Sequence, residues 1–370
     1  MKPLRAVRGG SGPGSAPSYM VQLDGIRAFA VGAVILEHWA SGLPRVVREA
    51  VDRLDLGGWG VECFFVLSGF LITLILLHAR ETQPSFRTAI GHFYGRRALR
   101  IFPAYYLVLA VAALTWPPMR EVGWWHVFYL SNLYPLAHGN FTPAGGHFWS
   151  LAVEEQFYLF WPLVVLLAPV RRLAALALLL CALAPVSRLL LWQVMGGVHL
   201  SMWTFPTTAL DLLAFGAFLA IVKHQRQLQV GDRFVRGIVR AGVGATALYV
   251  AAFALAGHDG GFMVIGRSLA AMAFWALVLR ASFGFSGAGG WILGNGVVVW
   301  IGMISYGLYL MHPFIPGLYL ALLSALDLSP AIWGAYYIRF PLLAALLLAV
   351  TSASFYLWER PIRSYRRLLT

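Results

Sequence analysis

The chain has 370 residues, 59% of them hydrophobic and only 12% charged, with a mean hydropathy of +0.72. A soluble domain is roughly half apolar and a quarter charged, and 28 basic plus 15 acidic side chains cannot clothe a soluble core of this size. An aromatic content of 14% excludes disorder. The formal charge of +13 does not point to nucleic acid, because the basic residues sit in short segments between apolar runs. The class is an all-α, polytopic membrane bundle.

In chain order, residues 1–20 are rich in Gly, Ser and Pro and carry three basic residues. They lack the apolar centre of a signal peptide and read as a flexible cytoplasmic tail. Ten runs then have the length and apolarity of a spanning helix: 22–41, 58–79, 101–117, 148–168, 172–193, 206–222, 237–256, 262–281, 297–323 and 334–357. The run 124–137 is apolar but short, and reads as an interfacial or re-entrant piece, with an eleventh span as the alternative. No repeat or linker divides the chain, so 21–360 reads as one transmembrane domain and 361–370 as a basic cytoplasmic tail. Cys63 and Cys181 both lie in apolar runs, which excludes a disulfide framework and speaks against structural zinc.

With the N-terminus placed in the cytoplasm, the inner segments hold 20 Lys and Arg and the outer loops four. Arg27, Arg188, Arg267 and Arg339 fall at or within spans. This positive-inside bias predicts cytoplasmic termini and an inner-membrane, multi-pass protein.

The first span carries Asp24, Arg27, Glu37 and His38. A charge within a bilayer costs about 2.5–3.5 kcal/mol even on a lenient scale, so such groups persist where they face a cavity or a partner. Eleven residues of helix turn through ~1100°, which puts Arg27 and His38 on one face, ~16 Å apart along the axis. Asp24, three residues before Arg27, is its natural ion partner. The plain alternative is a self-neutralised pair near the interface and a core histidine.

Glu154 and Glu155 in the fourth span and His312 in the ninth fall at a depth similar to that of His38, in the outer half of the layer. A carboxylate and two imidazoles at one depth supply a general base and an orienting partner. The alternatives are a carboxylate pair reaching water and a kink residue before Pro313. Arg97 and Arg100, with Arg96 beside them, share a helical face. They read either as a topological anchor or as a phosphate clamp, since guanidinium forks fit phosphate oxygens.

Six strings carry a resemblance: Leu23-Asp-Gly-Ile-Arg-Ala28 continuing to His38; Phe64-Phe-Val-Leu-Ser-Gly-Phe70; Arg96-Arg-Ala-Leu-Arg-Ile-Phe-Pro-Ala-Tyr105; Trp149-Ser-Leu-Ala-Val-Glu-Glu-Gln-Phe-Tyr158; Ser305-Tyr-Gly-Leu-Tyr-Leu-Met-His312; and Glu359-Arg-Pro361. In this order the chain resembles the acyltransferase-3 family of integral membrane O-acyltransferases, from about residue 20 to 365. The resemblance implies ten spans with a cytoplasmic N-terminus, and transfer of an acyl group, usually acetyl, from cytoplasmic acyl-CoA to a hydroxyl of a sugar or glycoside. The family's arginine–ten residues–histidine motif falls on Arg27 and His38, its arginine motif on Arg97 and Arg100, and its Ser-Leu-x-x-Glu carboxylate on Glu154 rather than Glu155. Some members carry a fused extracytoplasmic hydrolase-like domain. This sequence ends at residue 370 without one, so such a partner is expected to be separate.

The expectation is therefore that Arg97 and Arg100, with Arg96 secondary, hold CoA phosphates while Arg27 contacts the pantetheine arm or a phosphate. His38 would deprotonate the acceptor hydroxyl, Glu154 would orient the imidazole or grip the acceptor, and His312, Ser305 and Tyr158 would contact substrate. No metal is expected, and the partners are acyl-CoA, a carbohydrate or glycoside acceptor and the bilayer. Transfer through an acyl-enzyme stays open, and the rival class is a proton-coupled transporter or a flippase for a lipid-linked sugar. Acceptor choice is expected in the outer loops 42–57, 118–147, 194–205 and 324–333, and Trp124, Trp125, Trp149 and Trp203 either stack on sugar or mark the membrane interface.

Overall fold

A computed structural model of the protein describes residues 19–257, 260–329, 333 and 335–369. Nearly all of the 1–20 tail, part of the 324–333 loop and residue 370 of the basic tail lie outside the described residues. Among the described residues there are helices and turns and no strand, as a hydrocarbon solvent demands when every backbone group must be paired within its own segment.

The chain opens with α1 (Val21–His38), the short amphipathic α2 (Arg45–Leu54), α3 (Leu56–Thr82) and α4 (Phe86–Thr115). Two small helices follow, α5 (Pro117–Val127) and α6 (Tyr134–His138), then α7 (Phe148–Leu167), α8 (Val170–Val194), α9 (Ser201–Thr204) and α10 (Leu210–Arg226). After α11 (Arg233–Ala256) and α12 (Gly260–Phe283) come four short pieces: α13 (Gly287–Leu293), α14 (Gly296–Met303), α15 (Ser305–Met311) and α16 (Ile315–Ala325). The described chain closes with α17 (Tyr336–Ala353), a π-helical turn at Ser354–Glu359, α18 (Arg360–Ser364) and a last 3-10 turn at Tyr365–Leu369.

Eight described helices are long and apolar enough to cross a bilayer, and nine if the bent pair α15–α16 is one span. The charges of α1 keep it out of that count, although its 18 residues reach ~27 Å. With α1 included, the described segments match the ten runs of the sequence. The third differs most: α4 starts at Phe86, capped by the Ser85 hydroxyl on the Thr88 N–H (3.2 Å), so the arginine cluster lies inside a 30-residue helix and not ahead of it. Hydropathy registers only the apolar C-terminal half of that helix. The 124–137 run forms the end of α5, a turn and α6, none of which spans.

The ninth run is broken, and its prolines explain how. Pro313 and Pro316 lack the N–H groups that would pair with the carbonyls of Tyr309 and His312. The Phe314 N–H turns back to the Met311 carbonyl (3.0 Å), leaving Leu310 without its helical donor as well. The result is a 67° bend.

Two span arginines close on neighbours within the bundle. Arg188 of α8 pairs with Asp211 of α10 (2.5 Å) and with Ser268, and Arg267 of α12 pairs with Glu62 of α3 (3.1 Å). Each neutralises a charge that lipid would not tolerate. The backbones of α3 and α10 meet at Gly69 and Gly216, where a Cβ would overlap the carbonyls of Leu213 and Val66. Small residues at such crossings replace the hydrophobic drive that lipid removes. Gly216→Val is expected to cost about 1–3 kcal/mol, read as a lower unfolding midpoint of the detergent-solubilised protein. Gly244→Ala, with nothing within 4 Å of its added Cβ, is the control that should not shift it.

Candidate active site

Five helices converge on a cavity of about 260 Å³. α1 contributes Arg27, α4 Arg97 and Arg100, α7 Glu154 and Tyr158, and α15 Ser305. All six were singled out from the sequence. Tyr19, Ser68, Glu155, Tyr306 and Tyr309 also line it, and only Glu155 among these drew notice in the sequence, because a lone hydroxyl in an apolar run looks like core. On α3 the lining runs from Val61 to Ile75, ~21 Å of helix. A second cavity, about 510 Å³, shares Ile72, Ile75, Arg97 and Arg100 with the first and takes in Arg96. The two adjoin at these residues, with the arginines forming a basic neck between them.

The polar groups are held in place. Arg27 Nη1 lies 2.7 Å from Asp24 Oδ1, and the Tyr19 hydroxyl donates to the other oxygen of the same carboxylate. Burial, then Asp24, pushes the Tyr19 phenol above its usual range. Ser68 Oγ donates to Glu154 Oε1 (2.5 Å), and the Arg97 guanidinium sits 3.9 Å over the Tyr158 ring. That stacking fixes the guanidinium plane while leaving its edge for a ligand.

Beyond the cavity's outer end lie three imidazoles. His38 and His312 meet edge-on with centroids 4.8 Å apart, and His312 and His147 are 5.2 Å apart. The proline break positions them. The orphan carbonyls of Tyr309, Leu310 and His312 accept from His312 Nδ1 (2.7 Å), His147 Nε2 (3.2 Å) and Trp39 Nε1 (3.2 Å). A carbonyl only accepts, so a neutral ring facing one carries its proton there. His312 is thus the Nδ1–H tautomer, and so is His38, whose Nδ1 lies 2.9 Å from the Val34 carbonyl. In the neutral ring this leaves Nε2 as the nitrogen with the lone pair in both. His312 Nε2 is buried without a partner, whereas His38 is exposed on its other side. His147, just ahead of the span that begins at Phe148, is held well below the usual histidine range, by burial first and then by His312 and His38.

The sequence reading expects one shaft from Arg27 to His38, and here the structure differs. Neither His38 nor His312 lines the cavity. It stops at Phe64, Ser150 and Tyr309, where the Ser150 and Tyr309 hydroxyls are 2.6 Å apart and each lies within 3.2 Å of the His147 carbonyl. The Tyr309 ring, 5.7 Å from that of His312, partitions the passage from the imidazoles. Periodicity put Arg27 and His38 on one face, but the side chain standing between them comes from another helix.

The tryptophans do not gather at this site. Trp124 and Trp125 stack on each other at 4.0 Å, Trp149 packs edge-on to Phe65, and Trp203 joins an apolar cluster with Tyr249 and Phe262. Among the described residues, no three His, Cys, Asp or Glu side chains are placed to share a metal ion.

The apolar helices thus surround a basic, ionisable cavity within a multi-pass membrane bundle. The chain belongs to the acyltransferase-3 family: the family model described as an acyltransferase domain matches residues 20–359. It is 28% identical over 327 residues to the O-acetyltransferase OatA of Staphylococcus aureus strain NCTC 8325 / PS 47, covering 80% of this chain and 50% of that protein. It is 30% identical over 325 residues, with the same coverages, to a protein of S. aureus strain MSSA476 provisionally named an O-acetyltransferase. The chain spans about half the length of the curated relatives it matches. No solved structure matches it.

A fourth histidine sets a test of the packing around the site. His126 of α5 is buried with Nε2 2.9 Å from the Ala144 carbonyl, and burial pulls its imidazole down to about 4. The unfolded chain takes up this proton near pH 6.5 and the folded chain only near 4, so stability is lost as pH falls through that window. Scanning fluorimetry is expected to give a lower midpoint at pH 5.0 than at pH 7.5, and His126→Gln to narrow the gap.

Proposed function

We propose that this protein is an acyl-CoA-dependent O-acyltransferase that moves a short acyl group, acetyl first among them, to a hydroxyl of a carbohydrate or glycoside. The observation that carries the reading is the pair of adjoining cavities, the larger one basic, the smaller one beside Arg27 and Glu154 and ending one aromatic ring short of two imidazoles with free Nε2 atoms. A thioester donor of bulky anionic head and thin pantetheine arm has this shape. The ~21 Å of lined helix suits an arm of that kind.

In this reading the arginines hold the donor from the cytoplasmic side and the acceptor reaches the exposed face of His38. Displacement of the Tyr309 ring joins the two compartments. His38 Nε2 takes the hydroxyl proton as the oxygen attacks the thioester carbonyl. The C–O bond forms, the C–S bond breaks, and the CoA thiolate leaves along the arm and regains a proton. Once the Tyr309 ring has moved, the Ser150 hydroxyl at this end of the cavity is left to donate to the carbonyl oxygen as it gains charge. Glu154, fixed by Ser68, orients the acceptor or the donor amides. The relatives named as O-acetyltransferases support the acetyl choice, and the basic neck supports an inner-membrane protein that loads its donor from the cytosol.

Two measurements on purified protein, reading free thiol released from acetyl-CoA in the presence of cell-envelope glycan, test this. His38→Ala is expected to lose at least 100-fold in rate while acetyl-CoA still binds, and full activity would overturn the role of His38. Arg97→Ala with Arg100→Ala is expected to raise the KM for acetyl-CoA about tenfold or more, with kcat less affected. An unchanged KM would return both arginines to topology alone. A carrier would release no thiol at all.

A further inference from the structure

The wider cavity holds more positive charge than the passage needs. Besides Arg96 and the shared Arg97 and Arg100, it is lined by Arg363 and Arg366, two residues from the C-terminal segment, and by His92 of α4. No lining residue is acidic. The sequence reading left both C-terminal arginines in a basic tail whose only task was topology. The fold instead packs α18 and the turn after it along α4, carrying them into the same cavity as the α4 arginines.

Arg363 is built in rather than adrift. Its Nη2 is 3.0 Å from Oε2 of the buried Glu359, which anchors one edge of the guanidinium, and its Nε is buried without a partner. His92 Nδ1 is likewise buried and unpartnered. These groups sit past the arginine neck, on the side away from Tyr309. At about 510 Å³ the space falls within the ~300–1,000 Å³ of ordinary small-molecule sites. Phe93 and Leu99 give it an apolar wall.

Resting on the acyl-CoA reading above, we propose that this cavity is a nucleotide subsite for an adenosine carrying a 3′-phosphate, with Arg363 and Arg366 as the groups that select that phosphate. Arg97 and Arg100 at the neck take the diphosphate next to the pantetheine arm. The 3′-phosphate lies one ribose further out, where the C-terminal arginines stand. This makes free CoA thioesters the donors, and excludes pantetheine thioesters on a carrier protein, which lack both the adenosine and its phosphate. An anionic lipid headgroup offers the same phosphate chemistry. The burial of Arg363 Nε and His92 Nδ1 favours the nucleotide, because a lipid headgroup would need these atoms open to the membrane surface.

The test is calorimetric binding of CoA and dephospho-CoA to the purified full chain, in nanodiscs of phosphatidylcholine alone or with added phosphatidylglycerol. Wild-type protein is expected to prefer CoA by about tenfold or more, as one charge-assisted phosphate contact warrants. Arg363→Gln with Arg366→Gln is expected to bring CoA down to the affinity of dephospho-CoA and leave the latter where it was. Adenosine 3′,5′-bisphosphate should compete with CoA in wild type and not in the variant. The proposal falls if the variant keeps the wild-type preference, if it loses dephospho-CoA to the same extent, or if the preference exists only with phosphatidylglycerol present. Wild-type protein that binds neither ligand would sink the acyl-CoA reading itself, a different failure from loss of the selectivity.

Discussion

Two prolines organise the centre of this protein. By withholding backbone donors at positions 313 and 316 they leave three carbonyls unpaired in a low-dielectric interior. An unmet carbonyl there costs more than a side chain spent on it. The chain meets the cost with two imidazoles and an indole. The repair fixes which ring nitrogens carry protons. A break that would be a defect in a structural helix thereby becomes the device that orients His312 against His38 and anchors His147 behind them.

Charge is handled in two ways in the same bundle. Arg188 with Asp211 and Arg267 with Glu62 are closed pairs, satisfied by neighbours. Arg27 and Arg97 are braced on one side, by a carboxylate and an aromatic face, and open with Arg100 into a cavity. Both arrangements avoid a bare charge in lipid, but only the second leaves donors free for a ligand. The distinction separates arginines open to a ligand from arginines closed on the bundle on physical grounds.

Much of this was legible beforehand. Charges in an apolar span stand out because lipid penalises them, so Arg27, His38 and Glu154 announced themselves. The glycines of the α3–α10 crossing, by contrast, looked like any others in a glycine-rich chain. Ser68, Ser150 and Tyr309 lay inside the family strings without standing out as site residues, since a hydroxyl costs little in a helix and lipid penalises it far less than a charge. Arg363 and Arg366 were visible only as positive-inside charge, because that rule explains any arginine on the inner side and so discriminates none.

The sequence by itself determined the class, the positions of the apolar runs and the stripe of α1, because hydropathy and helical period are local quantities. Only the tertiary structure decided that the stripe is interrupted by Tyr309, that α4 extends its arginines into a joint cavity and that the C-terminal segment folds back onto them. Those outcomes depend on which side chains of distant segments share a space, and no periodicity along one chain encodes that.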